Sequence, residues 1–200
     1  MLLGAALIFG ALSLFIHNQR EATNAGQTAG NLLPVLIEKI EEKEEMGGEP
    51  LAYTLPVGTP IDYLDPSAFE MTEVEINGHA YIGYLSIPKL ELELPIMADW
   101  SYPKLQISPC RYTGSVRGED LVLMAHNYAA HFGGLSKLTE GDSVIFTDMD
   151  GVVTLYEVVA QDILDPYAVE EMTAGDFDLT LFTCTYGGKS RVTVYCDRAS

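Results

Sequence analysis

The residue whose surroundings best suit covalent chemistry is a cysteine near the end of the chain. The segment LTLFTCTYGGKSRVTVYCDR begins at Leu179, and Cys184 closes its first apolar run. A Gly-Gly turn follows and Arg191 opens a second β-type run, so the two runs are predicted to pair as a hairpin. This pairing places thiol and guanidinium at one end of a sheet. A nearby cation stabilises a thiolate, and a guanidinium stabilises the oxyanion that forms when a thiolate attacks a carbonyl group.

A thiol nucleophile also needs a partner that transfers protons, and histidine is the usual one. His126 ends the apolar run LVLMAH, so a strand delivers it to one end of the sheet, and it is the best candidate. His131 lies in the loop AAHFGGL and is expected at the surface or in packing. His17 follows the apolar N-terminus, and His79 precedes the first predicted strand.

The two other cysteines are not predicted to be reactive. Cys196 alternates with Arg191 along its strand and shares a face with Val192 and Val194, which indicates a place in the core. No pair that includes Cys110 or the others shows C-x-x-C spacing, and no Cys/His cluster has the spacing of zinc ligands. We therefore expect no metal and no redox cofactor. So few cysteines fit a bacterial surface protein better than a disulfide-built scaffold.

The elements that must position these groups begin near residue 73, where short β-type runs separated by turns replace the earlier pattern. The runs are HAYIGYLSIPKL, LELPIM, DLVLMAHN, DSVIFTDMDGVVTLYEVVAQDI, DLTLFTCT and RVTVYCD. Asp150-Gly151 lies between two alternating runs and predicts a tight hairpin. About seven or eight short strands with few helices predict an all-β fold with a closed or nearly closed barrel.

The N-terminal segment has a different character. Residues 1–16 carry no charge, which favours an uncleaved membrane anchor over residues 1–17; a cleaved signal and a buried core helix stay open as alternatives. Residues 18–72 are predicted to hold a helix that is N-capped by Asn31 and tolerates Pro34 in its first turn. The helix would end at Gly47-Gly48, before a linker over residues 49–72. Its apolar face is expected to contain Leu33, Ile37 and Ile40.

Composition narrows the classes of function. The 200 residues include 11 Lys+Arg against 29 Asp+Glu, a formal net charge of −18. Nucleic-acid binding is not expected, because no basic stripe exists to neutralise phosphates. Hydrophobic residues make up 48% of the chain, enough for a sizeable core, and the length suits one domain with an extension.

The segment TLFTC ending at Cys184, followed by Arg191, resembles the TLxTC…R signature of sortases. IGYLSIPKLELELPIM resembles the first two strands of that family. YTGS, followed by LVLMAHNYAAHFGGLSKLTEGDSVIF, resembles its histidine segment and the strand after it. The resemblance covers about residues 80–198 in the right order.

Sortases are extracytoplasmic cysteine transpeptidases, mainly of Gram-positive bacteria. The resemblance implies an eight-stranded β-barrel with short helices over residues 73–200, preceded by an N-terminal helical extension. It implies that Cys184 is the nucleophile, His126 the general acid/base and Arg191 the clamp on substrate and oxyanion. Thr183 matches a threonine that helps to bind substrate. The protein would then lie on the outer face of the cell membrane, held by a single N-terminal anchor.

The implied reaction cleaves an LPxTG-like signal of a secreted protein between Thr and Gly. A thioacyl intermediate on Cys184 is then resolved by an amine of a peptidoglycan precursor or of a pilin lysine. In the family, the loop before the cysteine strand forms a wall of the groove for the Leu-Pro end. Here the loop spans about residues 164–178, where Pro166, Tyr167 and Val169 are candidate substrate contacts, with Ala168 and Met172 beside them.

The subclass stays open. HNY and TCTY are similar to class B sequences, but the loop before Cys184 is too short for the helical insertion typical of that class. Asp65-Pro66 resembles the lid motif of pilin-polymerising members. Two rival functions also remain: an L,D-transpeptidase, because SPCR at Ser108–Arg111 is superficially similar to its cysteine motif, and an inactive sortase-like surface barrel that acts as a binding module.

Overall fold

A computed structural model describes residues 2–45 and 69–199 of the chain. Nine strands follow a long N-terminal helix, and the short helices lie between them. The elements are α1 (Leu2–Glu45), β1 (Val74–Ile76), β2 (His79–Ile87), β3 (Leu92–Met97), α2 (Tyr102–Leu105), β4 (Cys110–Thr113), β5 (Leu121–Ala125), β6 (Ser143–Asp148), β7 (Val153–Leu164), α3 (Val169–Met172), β8 (Leu179–Cys184) and β9 (Arg191–Arg198), with 3₁₀ helices at Pro88–Leu90 and Phe132–Lys137.

The strands form one sheet that closes on itself. Their order is β1-β2-β3-β4-β5-β8-β9-β7-β6, and β6 also pairs with β2. Strands β2 to β9 therefore make an eight-stranded barrel, while β1 is a short extra strand on β2. The predicted fold class is confirmed. The parallel pairing of β5 with β8 matters most for the candidate residues, because it sets the strand that ends before His126 beside the strand that ends at Cys184.

Two strands were not predicted, and both are short. β1 has three residues and reaches β2 through a turn at Asn77-Gly78, both with positive φ. An Asn-Gly pair is itself a hairpin signal. β4 has four residues and no clear alternation. The hairpin predicted at Asp150-Gly151 does join β6 to β7, and the Asp148 side chain accepts hydrogen bonds from the turn amides of Asp150 (2.9 Å) and Val152 (3.0 Å).

Helix α1 is longer than the sequence predicted. It runs unbroken for 44 residues, so Asn31 does not cap a helix start and Pro34 lies in the helix interior. An interior proline costs about 3 kcal/mol. Burial of Leu32 and Leu36 against the barrel offsets that cost, since each such side chain contributes about 1.5–3 kcal/mol.

The face of α1 that meets the barrel differs slightly from the predicted one. Ile40 is buried as expected, but Leu33 and Ile37 are only half-buried and flank the contact. The α1 residues buried at the centre of the contact are Ala25, Ala29, Leu32, Leu36 and Ile40. The end of α1 is held by charge, because Lys43 pairs with Asp150, which also accepts hydrogen bonds from Thr72 and Arg117.

The opposite end of α1 leaves the barrel and passes position 17 without a break. Its apolar side chains are exposed at Ile8, Phe9, Leu12, Leu14 and Phe15. Within residues 2–45 and 69–199, no helix is both long enough and apolar enough to cross a membrane. The predicted glycine stop at Gly47-Gly48, the lid-like Asp65-Pro66 and most of the linker 49–72 lie outside the described residues.

Candidate active site

The strands that carry the candidate residues alternate between the barrel interior and an outer face. On β8, Leu179 and Leu181 belong to the interior core, whereas Phe182 belongs to a separate apolar cluster on the outside. Cys184 lies two residues beyond Phe182 and therefore shares its outer face. The cysteine ends its strand half-buried, and its thiol is free.

The strand register brings three candidates into one row. Cys184 is the direct partner of Arg191 in the antiparallel pair of β8 and β9. Ala125 is the partner of Thr183 in the parallel pair of β5 and β8, so the next residue, His126, comes level with Cys184. Neighbouring strands lie about 4.8 Å apart. We call His126, Cys184 and Arg191 the outer row.

Thr183, the fourth predicted site residue, points the other way. It is 3% exposed, and its hydroxyl donates a hydrogen bond of 2.8 Å to the carbonyl oxygen of Ala125. That bond ties the end of β8 to the end of β5. Thr183 therefore helps to hold Cys184 and His126 at a fixed separation, which is a structural contribution that the sequence did not indicate.

Arg191 is positioned by the turn that joins β8 to β9. The turn closes through a hydrogen bond from the Thr185 amide to the Ser190 carbonyl (2.9 Å), and Gly187 and Gly188 both have positive φ, which favours glycine. The Arg191 guanidinium donates from Nη1 to the carbonyls of Gly188 (3.3 Å) and Ser190 (3.2 Å). No carboxylate among the described residues forms an ion pair with it, so its charge is available to a ligand.

His126 is half-buried at the start of a loop that turns back on itself. The amide of Phe132 donates to the His126 carbonyl (3.2 Å), and the ring of Tyr128 lies 4.9 Å from the imidazole, centroid to centroid. Burial lowers the pKa of His126 below its ordinary value of 6.5, because the imidazolium loses water. The Glu21 carboxylate on α1 opposes this effect and raises that pKa.

A cavity of about 300 Å³ opens beside the thiol. Its lining comes from the ends of β8 and β9, from the turn between them, and from the loop and 3₁₀ helix after His126. The lining residues are Asn127, Phe132, Gly133, Ser136, Thr183, Cys184, Thr185, Tyr186 and Val192. A small group can therefore approach the sulfur from this side.

An apolar patch continues from Cys184 along the outer face in the other direction. Val122 on β5 and Phe182 on β8 form its floor, and Leu164 at the end of β7 and Met172 in α3 cover it. The loop predicted to form a groove wall therefore does lie on the face that carries the cysteine. Ala168 packs against the same cluster.

The named wall residues divide by orientation. Pro166 is half-buried, but Tyr167 is 88% exposed and Val169 is 41% exposed. The loop thus turns Ala168 and Met172 towards the barrel, while Tyr167 and Val169 extend from it and are free to contact a bound peptide.

Aromatic residues that were not predicted to belong to the site extend this patch. The ring of Tyr112 on β4 meets Phe182 edge-on at 5.4 Å, and Trp100 stacks on Tyr112 at 5.9 Å. Trp100 is the only tryptophan of the chain, which was the one signal available for it. Together they extend the apolar patch further from Cys184.

The remaining cysteines are buried. Cys110 and Cys196 are fully enclosed, and burial raises the pKa of each thiol to about 12. The core position predicted for Cys196 is confirmed. The Cys110 thiol donates to the Ser108 carbonyl at 3.4 Å, so the SPCR segment does not present a nucleophile of the L,D-transpeptidase kind.

The remaining histidines also lie apart from the thiol chemistry. His131 is fully buried, which confirms packing rather than surface, and burial lowers its pKa to about 4. His17 lies 3.4 Å from Glu21 on an exposed part of α1, and His79 opens β2. In the two described ranges, no group of three or more His, Cys, Asp or Glu side chains is arranged to hold a metal ion.

Comparison with known proteins agrees with the barrel and the cysteine strand. The sequence model of the Sortase domain family matches residues 85–199. Sortase C1 of Streptococcus suis is 30% identical, with a TM-score of 0.53 over 61% of this chain and 74% of that one. No curated protein sequence matches significantly.

Two more distant structures share the fold. Sortase D5 transpeptidase of Clostridium perfringens has a TM-score of 0.61 at 19% identity, covering 87% of this chain and 99% of that one. Streptococcus pneumoniae sortase C has a TM-score of 0.55 at 24% identity, covering 85% and 97%. The family model and the similar structures indicate a transpeptidase. The chain belongs to the sortase family.

Proposed function

We propose that the chain is a cysteine transpeptidase that cleaves an LPxTG-like sorting signal and joins the acyl fragment to an amine of the cell wall or of a pilin. The outer row carries this proposal, because the register sets residue Cys184 between His126 and Arg191, whose side chains are an imidazole and a guanidinium. Those are the groups that thiol acyl transfer requires. Streptococcus pneumoniae sortase C is described as having pilin substrate specificity, which supports a pilin lysine as one acceptor.

In the first half-reaction, the Cys184 thiol gives its proton to neutral His126, and the resulting thiolate attacks the carbonyl carbon of the scissile Thr-Gly peptide bond. A carbon–sulfur bond forms, and the negative charge that develops on the carbonyl oxygen faces Arg191. When the tetrahedral intermediate collapses, the carbon–nitrogen bond breaks, and the His126 imidazolium gives its proton to the leaving glycine amine. The product is a thioester on Cys184.

In the second half-reaction, an acceptor amine attacks the thioester carbon. Neutral His126 takes a proton from the amine, a carbon–nitrogen bond forms, and the carbon–sulfur bond breaks to return the Cys184 thiolate. The lowered pKa of His126 favours its neutral form near neutral pH, which suits this base step. The 300 Å³ cavity beside the sulfur is large enough for an amine-bearing side chain to approach.

The patch on the outer face of β5 and β8 is our proposed seat for the Leu-Pro end of the signal. Phe182 and Met172 offer apolar surface there, and Thr183 supports the end of the strand beneath it. Pro166, Tyr167 and Val169 would contact the peptide from the loop above. Acidic residues in the same loop, such as Glu170 and Glu171, should disfavour acidic residues at the variable position of the signal.

The N-terminal part of α1 is our proposed membrane anchor, with residues 1–17 as the anchor, 18–72 as the connection and 73–200 as the catalytic domain. Its support is the uncharged run 1–16 and the exposed apolar side chains from Ile8 to Phe15. Fractionation of cells that express the full chain, or a chain lacking residues 2–16, tests it. Equal release of both forms by a carbonate wash would refute the anchor.

The central test is capture of the thioester. The enzyme is mixed with a small library of LPxTG-like peptides and analysed by intact and peptide-level mass spectrometry. We expect an added acyl mass on the peptide that contains Cys184, removed by hydroxylamine or an added amine. Modification at Cys110 or Cys196 instead, or acyl-enzyme in Cys184→Ala, would refute the assignment.

A further inference from the structure

Helix α1 packs directly on the loop that carries His126. The loop folds back tightly, with hydrogen bonds from the His131 and Gly133 amides to the Tyr128 carbonyl, both at 2.9 Å. The rings of His126, Tyr128 and His131 form a ladder with centroid distances of 4.9 and 5.6 Å. The last ring of the ladder, His131, is fully buried, and the backbone of Ala25 on α1 lies close enough to influence it.

The closest approach of helix and loop occurs at a glycine. A Cβ atom at Gly26 would lie 2.7 Å from the Cβ of Ala130, closer than two such atoms can come without a shift of helix or loop. Glycine lowers helix stability relative to alanine. Glycine occupies this position because the loop leaves no room for a Cβ atom. Gly30, one turn further on, has no atom within 4 Å of its hypothetical Cβ.

A carboxylate lies one turn before Ala25 on α1. Glu21 lies four residues before the buried Ala25, and its charge acts on both His126 and Tyr128. Its own partner on the helix is His17, at 3.4 Å.

The other titratable or charged groups near His126 come from three elements. Tyr128 and His131 lie in its own loop, Cys184 lies on β8 and Arg191 on β9. Burial raises the pKa of the Tyr128 hydroxyl and lowers that of His131 to about 4, so both groups are uncharged near neutral pH.

We propose that α1 positions the catalytic histidine: the close contact at Gly26 fixes the loop that holds His126, and the Glu21 carboxylate on the same helix favours its imidazolium form. Glu21 is a positioning residue that acts through His126 and does not touch substrate. This inference rests on the proposed role of His126 as general acid and adds a residue from outside the barrel to the site.

The first experiment measures the charge contribution without any substrate. The imidazole of His126 is titrated by NMR in the wild type and in Glu21→Gln, with His126→Gln used to assign the signal. We expect His126 to titrate at lower pH in Glu21→Gln, because the carboxylate no longer stabilises the imidazolium. Glu42→Gln is the matched control, since Glu42 is an exposed carboxylate of the same helix paired with Lys39. An unchanged His126 titration in Glu21→Gln would overturn the inference.

The second experiment measures the contact through kinetics. Gly26→Ala and Gly30→Ala make the same chemical change on the same helix. We expect Gly30→Ala to raise the melting temperature and to leave kcat and KM unchanged. Gly26→Ala should lower kcat several-fold with little change in KM. The loop that carries His126 must shift, while the apolar patch on β5 and β8, our proposed peptide site, stays intact. Identical kinetics for the two variants would overturn the positioning role.

The two experiments separate this inference from the function on which it rests. Loss of activity in His126→Gln together with an unshifted titration in Glu21→Gln refutes only the positioning role. Full activity in His126→Gln refutes the general-acid role itself. If Gly26→Ala does not fold, Glu21→Gln carries the test, because it replaces a half-exposed side chain by one of the same shape. At neutral pH it should lower kcat/KM about two- to fivefold, the range of a partly screened charge interaction.

Discussion

Cys184 and Cys196 lie on neighbouring strands, yet their surroundings are opposite. Cys184 lies on the outer face at the end of β8, half-buried, beside a cavity and opposite Arg191. Cys196 lies on the inner face of β9 among core side chains such as Leu179, and burial raises its thiol pKa to about 12. The two thiols therefore differ in their surroundings because one lies on the outer face of the barrel, opposite Arg191, and the other lies in the core.

The two histidines of the loop after β5 repeat this contrast. His126 follows directly from the strand and stays in the outer row, half-buried. His131 is 0% exposed, and in the part of the chain that the structure describes neither ring nitrogen has a hydrogen-bond partner of normal geometry. In both pairs, residue type alone does not identify the candidate site residue. The face of the barrel distinguishes the two cysteines, and burial distinguishes the two histidines.

The largest expected effect separates the two cysteines. Cys184→Ala should lower the rate of peptide cleavage and transfer by at least about a thousandfold, since loss of a covalent nucleophile has effects of that order or more. Cys196→Ala should keep turnover and lower the free energy of unfolding by about 1 kcal/mol, the typical cost of a core change. Peptide cleavage assays and thermal unfolding of both variants check this. Comparable losses of activity in the two variants would remove the contrast.

The next effect sharpens the role of the cation on the outer row. Arg191→Lys keeps the charge but loses the planar arrangement of donors. If Arg191 binds the developing oxyanion, kcat/KM should fall at least about tenfold, because one oxyanion donor contributes roughly 10²–10³ in rate. Lys189→Arg in the same turn is the control and should have no effect, since that residue is exposed. Wild-type kcat/KM in Arg191→Lys would show that donor geometry is unimportant.

The third effect concerns how the burial of His131 makes the stability of the protein depend on pH. In the unfolded chain His131 binds a proton below its ordinary pKa of 6.5, whereas in the folded protein it does so only below about 4. The free energy of unfolding should therefore fall by about 3 kcal/mol as the pH drops from 6.5 to 4. His131→Phe removes this dependence, and His17→Gln, at an exposed site, keeps it.

Denaturant unfolding at several pH values compares the three proteins. An equally steep acid loss in His131→Phe would mean that other groups cause it.

The smallest effect concerns the loop before β8, which covers the apolar patch next to Cys184. A neutral loop of different shape is grafted over residues 165–178 while Ala168 and Met172 are kept, because those two side chains cover the barrel. Preference at the apolar and variable positions of the signal should change by about 1–3 kcal/mol per methylene-sized difference. Cleavage profiles across a peptide library measure this. An unaltered profile with activity retained would show that the loop does not select substrate.

Most of the barrel could be predicted from the sequence, because half-buried strands alternate and their turns carry Gly and Asp. Strands β1 and β4 escaped notice because three or four residues are too few to show a period. The predicted helix began at Asn31, since local propensity places Pro34 in a first turn and cannot register the burial of Leu32 and Leu36 that offsets the cost of an interior proline.

The candidate site divides in the same way. Cys184 and Arg191 were predictable as a pair because a tight turn fixes which residues of a hairpin face each other. His126 was found from its position at a strand end, and its level with Cys184 depends on the parallel pairing of β5 with β8, which joins segments far apart in the chain. Two features could not be predicted from a local sequence pattern. One is the extension of the apolar patch by Tyr112 and Trp100, and the other is the position of Glu21 on the helix that packs on the loop of His126.

The sequence by itself determined the alternating strands, the hairpin that pairs Cys184 with Arg191 and the family to which the chain belongs. These features depend on neighbours within a few residues, where chain geometry leaves few alternatives. Only the tertiary structure decided that α1 lies against the loop of His126, with Gly26 on Ala130. Contacts of that kind join residues about a hundred positions apart, and their free energy comes from packing that no local pattern records.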